Sequence, residues 1–315
     1  ETWALSGIYR SVMLIRKPTT YIDDLVTQAD YDPKREEGRI RVRMMISSYP
    51  PGHNRSEEFT GTFELTDHQN RALVRTSQTF RITGGGIPAP SLEIDQVIED
   101  VQPWSAEHPR LATLTVSLIS GERTLEEVTK NVGFRETQIR DGVLLLNGVP
   151  IKLRGVCRYD IHPRAGGAFT EQLYREEIAL LQAANINAVR TAHYPPDPRF
   201  LELCDQLGLY VIDEIPYDLG NHLLWDMRYL PYLLLRARAT VTRDRSHPSV
   251  LIWSIGNENP YTNLNRDVVA LVKGLDPTRP ILCAGRDEHD LPTEVDLVAP
   301  HFPLQIPKKY YDKYK

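Results

Sequence analysis

Long apolar runs, paired cysteines and basic blocks are all missing from this sequence. Because no run reaches about 18 apolar residues, the sequence predicts no transmembrane helix. The cysteines Cys157, Cys204 and Cys283 are odd in number and widely spaced, which argues against a disulfide framework or a cysteine metal site. A net charge of −5 without any Lys/Arg-rich segment argues against a nucleic-acid surface.

The length of the chain fits more than one domain, while its start says little about the compartment. At 315 residues, 41% of them hydrophobic, the chain is long enough for two domains and a large core. It begins at Glu1, without a methionine and without a charged segment followed by an apolar one. We therefore expect a processed or trimmed N-terminus, and the compartment stays open.

The first part of the chain, up to about residue 135, has the rhythm of an antiparallel β protein. Short alternating runs such as 39–47 (RIRVRMMIS), 59–65 (FTGTFEL) and 111–120 (LATLTVSLIS) are separated by turn-forming residues. This pattern predicts an antiparallel sandwich of roughly a hundred residues. The opening residues 1–18 also alternate like a β-strand, and we expect them to belong to a preceding domain.

After residue 140, short apolar strands alternate with amphipathic helices. Strands are predicted near residues 151, 186, 209, 250, 281 and 297. Thr170, Asp197 and Asn265 are suited to cap the helices between them, and Gly274 is suited to end the last one. Such alternation implies a parallel sheet covered by helices on both faces.

A closed eight-stranded barrel explains this second part better than an open doubly wound sheet. An open sheet of that kind typically carries a glycine-rich nucleotide loop after its first strand, and residues 154–163 (RGVCRYDIHP) do not form one. In a barrel, functional side chains gather where the strands end and the loops begin.

The predicted strand ends carry polar residues, among them Tyr159, Arg190, His193, Asp213, Glu214, Asn257 and Glu258. Partial burial at the end of a strand disfavours the charged form of a carboxyl group, and a proton donor needs this property; Glu258 is the candidate. Asn257 offers an amide to a substrate hydroxyl, Arg190 can hold a carboxylate in its ionised form, and His193 can bond a ligand hydroxyl.

Each of these assignments has a structural alternative. Glu258 can be a solvated loop carboxylate, and Arg190 and His193 can be partners of other groups within the protein. No HxxxH or HxH spacing occurs, so the residues themselves predict no transition-metal site.

Three segments carry a resemblance to a known family. Residues 154–163, 187–216 (NAVRTAHYPPDPRFLELCDQLGLYVIDEIP) and 243–259 (RDRSHPSVLIWSIGNEN) resemble glycoside hydrolase family 2, the family of the large bacterial β-galactosidases and the β-glucuronidases. The opening W-LSGIYRSVML resembles the end of that family's N-terminal sugar-binding domain. The motifs occur in family order over essentially the whole chain.

The resemblance implies a multidomain β plus α/β protein, in which an immunoglobulin-like β-sandwich is followed by an incomplete TIM (β/α)8 barrel. Residues 1–16 would be the tail of the N-terminal jelly-roll domain, residues 17–135 the β-sandwich, and residues 136–315 the N-terminal part of the catalytic barrel.

The activity implied is that of a retaining glycosidase, which removes a non-reducing terminal β-linked sugar with two carboxylates about 5 Å apart. Glu258 would be the general acid/base, Asn257 would bind the sugar 2-hydroxyl, Arg190 would lie near the nucleophile, and His193 would contact the sugar. Tyr159 stands where the β-galactosidases typically carry a histidine that touches the sugar. A β-galactoside is the first expected substrate, with β-glucuronide and β-mannoside as alternatives.

Three features depart from the family pattern. Tyr159 and Gly220 replace histidines, the second of them near the family's magnesium, which leaves galactose specificity and a magnesium cofactor open. Residues 298–303 (VAPHFP) lack the tyrosine that the family places after its sixth strand. No glutamate matches the family's nucleophile at the end of the seventh strand, so we expect the chain to be part of a longer enzyme.

Other interpretations stay open at this stage. The chain can be a carbohydrate-binding or scaffold protein without hydrolytic activity, or an enzyme whose missing strands come from a complementing C-terminal portion. The expected partner is an oligosaccharide or glycoside, with no nucleic acid and no membrane; a homo-oligomer is an option because the family often assembles. The compartment is open between the bacterial cytoplasm and a secreted or periplasmic location.

Overall fold

The computed structural model describes residues 7–8, 10–49, 57–82, 91–217, 223–285 and 293–299. The chain divides into two units, each with its own hydrophobic core. The first unit consists of Val12–Trp104 and His108–Arg135, and the second of Glu1–Ser11, Ser105–Glu107 and Glu136–Lys315. In the described ranges, no helix combines the length and the apolar character of a membrane span.

Within its described residues, the first unit is an antiparallel sandwich of seven strands. The strands are Thr20–Asp32 (β1), Glu37–Ser48 (β2), Glu57–Thr66 (β3), Ala72–Ile82 (β4), Ser91–Ile98 (β5), Ala112–Ser120 (β6) and Arg123–Val132 (β7). One sheet has the order β1-β2-β5 and the other the order β4-β3-β6-β7. The predicted sandwich is therefore confirmed.

Strand β2 shows why this part of the chain forms a sandwich. Ile40, Val42 and Met44 alternate along it and are buried in the core between the sheets. The arginines between them lie on the opposite face, where Arg39 donates to Asp95 of the neighbouring strand β5 at 2.7 and 2.6 Å. The two-residue period thus separates an apolar face from a charged one.

The opening residues differ from their predicted strand. Residues 11–18 form no strand, and residues 1–6 and 9 lie outside the described residues. Alternation alone does not make a strand, because the backbone also needs a neighbouring strand to complete its hydrogen bonds. No strand in the described part of the chain pairs with residues 11–18.

The second unit begins with a small antiparallel sheet and continues with a parallel one. The small sheet consists of Thr137–Arg140 (β8), Val143–Leu146 (β9) and Val149–Pro150 (β10). The parallel strands are Gly155–Arg158 (β11), Ala188–Thr191 (β12), Tyr210–Glu214 (β13), Val250–Asn259 (β14), Ile281–Gly285 (β15) and Leu297–Val298 (β16). The helices are Glu171–Ala183 (α1), Pro198–Leu207 (α2), Leu230–Asp244 (α3) and Asn263–Leu275 (α4), and two short 3-10 helices span Leu223–Trp225 and Met227–Tyr229.

The six parallel strands follow one another in chain order across the sheet. A helix lies between each successive pair from β11 to β15. An open doubly wound sheet would reverse its order at a switch point, whereas unbroken order is the arrangement of a barrel. The predicted fold class, a sandwich followed by part of a TIM barrel, is confirmed.

The helix ends show which local signals act. Thr170 accepts a hydrogen bond from the N–H of Leu173 at the start of α1, and Asp197 accepts one from Arg199 at the start of α2, as predicted. The prediction that Asn265 caps α4 is wrong. Thr262 has the extended backbone that an N-cap requires, and the Asn265 side chain accepts a bond from the Thr262 N–H at 2.8 Å, which completes a capping box. The predicted end of α4 at Gly274 is also displaced, since the helix continues to Leu275.

Gly208 ends α2 in the left-handed conformation, with φ of +81°. A Cβ atom there would overlap the carbonyl oxygen of Ala106. We predict that Gly208→Ala lowers the free energy of unfolding by at least about 2 kcal/mol, because it adds both backbone strain and a clash with another backbone. Chemical denaturation measures the change.

Gly274 provides the matched control for this substitution. It lies in the last turn of α4, where an added Cβ would meet no atom within 4 Å. Gly274→Ala should leave stability unchanged or raise it by up to about 1 kcal/mol, because alanine favours the helix. Equal losses in both variants would contradict the role given to Gly208.

Candidate active site

Polar side chains converge at the carboxyl ends of β11 to β14. Tyr159 follows β11, Arg190 lies in β12 with His193 just beyond it, and Asn257 and Glu258 lie near the end of β14. Because these strands are parallel neighbours, their carboxyl ends meet at one edge of the sheet. The structure joins four of these predicted site residues through hydrogen bonds, and Glu258 follows Asn257 directly.

The group that joins them is Glu214, at the end of β13. Its carboxylate has no exposed surface. One oxygen bonds His193 Nδ1 at 2.7 Å, and the other accepts from Ser254 Oγ at 2.8 Å and pairs with the guanidinium of Arg190. A buried carboxylate requires such compensation, because its transfer from water costs several kcal/mol, on the order of 5. Glu214 is thus an anchor for Arg190 and His193.

The sequence placed Glu214 at a strand end but gave it no role. Its partners lie 21 to 40 positions away in the chain, so no local motif reveals them. A signal was present nonetheless. Arg190 occupies an apolar strand and needs a counter-ion, and one of the two carboxylates that end β13 must face the same side of the sheet.

Arg190 also orients Asn257. Its Nη2 atom donates to Asn257 Oδ1 at 3.0 Å and to the carbonyl oxygen of Gly256 at 3.3 Å. A guanidinium has only donors, so the atom of Asn257 that faces it must be the amide oxygen. The NH2 group of Asn257 therefore lies on the side away from Arg190, where it can act as a donor.

His193 connects Glu214 to Tyr159. The Tyr159 hydroxyl lies 2.9 Å from His193 Nε2, and the two rings meet edge to face at 89°. Because the carboxylate of Glu214 only accepts, Nδ1 carries a proton, and in that tautomer Nε2 accepts a hydrogen bond from the Tyr159 hydroxyl. The result is an ordered Tyr–His–Glu chain of hydrogen bonds at the end of three neighbouring strands.

The end of β14 is bent around Tyr217. Register shifts occur on both sides of Asn257, Gly256 has φ of +85° and Glu258 has φ of +49°. The Tyr217 carbonyl accepts from Asn257 N at 3.3 Å and from Asn259 Nδ2 at 2.7 Å, and a Cβ on Gly256 would overlap this carbonyl. Such bulges re-aim side chains, and here they leave Glu258 half-buried beside Asn257.

A buried arginine supports the first strand of the site. Arg158 ends β11, donates to both oxygens of Glu177 at 2.9 Å, pairs with Asp160, and stacks its guanidinium 3.8 Å from the Phe200 ring centroid. Burial opposes its charge, yet the nearby carboxylates of Asp160 and Glu177 raise the pKa of Arg158. Arg10 donates to the same Asp160 at 2.9 Å.

The described residues bring no three histidine, cysteine or carboxylate side chains together in a way that could hold a metal ion. Gly220, on which the magnesium question depends, lies outside the described residues, as does most of the segment 298–303. A magnesium cofactor therefore stays an expectation that the described residues do not test.

Enzymes built on this barrel carry their active sites at the carboxyl ends of the strands, which is where these polar side chains lie. The model of "Glycosyl hydrolases family 2, TIM barrel domain" matches residues 137–311, and the model of "Glycosyl hydrolases family 2" matches residues 20–135. The chain belongs to glycosyl hydrolase family 2.

Curated relatives agree with this family. The β-galactosidase of Leuconostoc mesenteroides subsp. mesenteroides is 34% identical over 310 residues, which cover 96% of this chain and 29% of the relative. The β-galactosidase of Photobacterium profundum is 34% identical over 308 residues, with the same coverage of 96% and 29%. The chain thus spans about 29% of the length of these relatives.

Solved structures share the fold. A family 2 member from Bacteroides cellulosilyticus has a TM-score of 0.82 at 22% identity, over 94% of this chain and 41% of that one. The β-glucuronidase 3 of Bacteroides uniformis has a TM-score of 0.79 at 27% identity, over 93% and 36%.

We predict that Glu214→Gln lowers the free energy of unfolding by roughly 3 kcal/mol, because it removes the buried charge that holds His193 and the half-buried guanidinium of Arg190. Glu202→Gln is the matched control. Its side chain is 46% exposed and pairs with Arg199 at the surface, so little change is expected. Urea denaturation of both variants at neutral pH compares them, and a Glu214→Gln protein as stable as the control would contradict the anchoring role.

Proposed function

We propose that this protein acts as a retaining glycoside hydrolase, which removes a non-reducing terminal β-linked sugar, with a β-galactoside as the first candidate. The observation that carries the proposal is the cluster in which Glu214 holds Arg190 and His193 beside Asn257 and Glu258. Family membership and the curated relatives, which are named β-galactosidases, support it.

Glu258 is assigned as the acid/base. It is half-buried at the bent end of β14, beside the residue that Arg190 orients. In the first step, its carboxyl group would give a proton to the leaving oxygen while a second carboxylate attacks the anomeric carbon; in the second, it would take a proton from the attacking water. We assign the nucleophile to no residue of this chain.

The neighbouring groups would bind the sugar. With its oxygen towards Arg190, Asn257 can donate its NH2 group to the sugar 2-hydroxyl, a contact that strengthens as charge develops at the anomeric centre. The Tyr159–His193–Glu214 chain places a hydroxyl and an imidazole at the same edge of the sheet, where either can contact sugar hydroxyls. No step is assigned to magnesium.

The sugar itself is the finer part of the proposal. A β-galactoside comes first because the relatives at 34% identity carry that name. A β-glucuronide or a β-mannoside is the alternative, and the structural neighbours named β-glucuronidase support the first of these. Turnover of the three aryl β-glycosides by the full-length protein distinguishes them.

Glu258→Gln should lower kcat on a natural β-glycoside by about 10² to 10⁴-fold, because the leaving oxygen then departs without a proton. On an aryl glycoside with an acidic phenol, the first step needs no proton and the loss falls on the second step. Azide, which requires no general base, should then restore turnover and give a glycosyl azide.

Glu176→Gln, on the exposed face of α1, is the control and should leave both kinetic constants unchanged. If Glu258→Gln kept full activity on both substrates, another residue would be the acid/base.

Asn257→Ala should lower kcat/KM by about 10- to 100-fold, since a contact to the 2-hydroxyl worth roughly 1.4 to 2.8 kcal/mol is lost. A 2-deoxy glycoside provides the test of this assignment. For the unsubstituted protein, kcat/KM should fall by a similar factor when the 2-deoxy glycoside replaces the normal substrate. For Asn257→Ala, the same change of substrate should lower kcat/KM little further. If the two losses in kcat/KM multiplied, Asn257 would not contact the 2-hydroxyl.

A further inference from the structure

A pair of buried carboxyl groups lies behind the candidate site, on the other face of β13. Asp213 directly precedes Glu214 in this strand, so its side chain points to the opposite face of the sheet. There it meets Asp244, the last residue of α3. Neither carboxyl group has any exposed surface.

The two oxygens of Asp213 have different surroundings. Oδ1 accepts a hydrogen bond from Thr191 Oγ1 at 3.1 Å. Oδ2 is buried and receives no bond from any donor in the described part of the chain. Asp244 is the carboxyl group that acts on Asp213 from this side of the strand. A buried carboxylate oxygen without a donor, set against a second carboxyl group, is stabilised by a proton that the two groups can share.

Asp244 is held as the charged partner. Arg243 donates to its Oδ1 from Nε at 2.6 Å and to its Oδ2 from Nη2 at 2.7 Å. A guanidinium that donates to both oxygens favours the ionised carboxylate. The proton therefore belongs to Asp213.

Other ionisable groups nearby do not supply this proton. Asp197 lies close to Arg243, which adds negative charge to the cluster. His247 lies near Asp244 but is bonded to Asp205 at 2.6 Å. Burial first, and the charge of Asp244 second, raise the pKa of Asp213 well above its ordinary value.

The hydroxyl of Thr191 connects this pair to the site. It donates to Asp213 Oδ1 and accepts from the backbone N–H of Glu214 at 2.9 Å. Glu214 in turn anchors Arg190 and His193. We propose that Asp213 is a positioning residue that acts in its protonated form, bridging to Asp244 and fixing the Thr191 hydroxyl that supports Glu214. This inference rests on the proposed function for its effect on turnover, though not for the proton itself.

The proton predicts how stability depends on pH. The folded protein keeps a proton on Asp213 that the unfolded chain releases above about pH 3.9. Its stabilising contribution is complete below that pH and is lost as the pH rises through the raised pKa of folded Asp213. In that window the unfolding equilibrium constant should rise by up to about tenfold per pH unit from this group.

Asp213→Asn is the diagnostic variant, because its amide donates to Asp244 and accepts from Thr191 without titrating. Relative to this variant, the original full-length protein should lose stability steadily from about pH 4 upward. Asp244→Asn is the contrasting variant. It presents an amide to Arg243 and should be less stable than Asp213→Asn at every pH.

Two further readouts test the positioning role in the full-length protein. The alkaline limb of kcat/KM should move to higher pH in Asp213→Asn, because Glu214 keeps its support. The ¹⁵N shifts of the His193 ring, which need no activity, should change with alkaline pH in the original protein and stay constant in the variant.

Each outcome decides one part. If the stability of the unsubstituted protein and of Asp213→Asn changed with pH in the same way, Asp213 would carry no proton. The same conclusion would follow if Asp244→Asn were more stable than Asp213→Asn. Different stability curves with identical His193 shifts overturn the positioning role. Absence of turnover on every β-glycoside overturns the proposed function, while the stability and ¹⁵N data still decide this inference.

Discussion

The burial of one negative charge organises the candidate site. Glu214 has no contact with water, so its carboxylate must be satisfied by protein groups alone. Those groups come from both neighbouring strands: Arg190 is part of β12 and His193 follows it, and Ser254 comes from β14. The same charge that is costly to bury therefore fixes three strand ends relative to one another.

The two faces of β13 each carry a buried carboxyl group, and the two groups have different surroundings. The two-residue period of the strand turns Glu214 towards the site and Asp213 towards the helices. A charged group is useful on the first face, where arginine and histidine can be oriented. On the second face we infer that the same residue type carries a proton, since Arg243 donates to both oxygens of Asp244. Adjacent carboxyl groups of one strand thus meet opposite surroundings, Glu214 beside arginine and histidine and Asp213 beside another carboxyl group.

The sequence predicted the fold in those places where local physics decides it. Alternation revealed the sandwich, Thr170 and Asp197 marked helix starts, and the order of apolar strands indicated the barrel. Asn265 was misplaced because capping depends on backbone conformation, which composition does not display. At the site, the strand-end positions of Arg190 and Asn257 were readable, but their bond to each other was not, because register across parallel strands is a tertiary property.

The carbonyl of Tyr217 joins the chain that follows β13 to the end of β14. It is bonded by both Asn257 and Asn259, so the chain that leaves β13 is fastened to the end of β14 before it enters the following loop. The acceptor is a main-chain atom, so a substitution of the Tyr217 side chain would leave these two hydrogen bonds available and the bend that holds Glu258 in place.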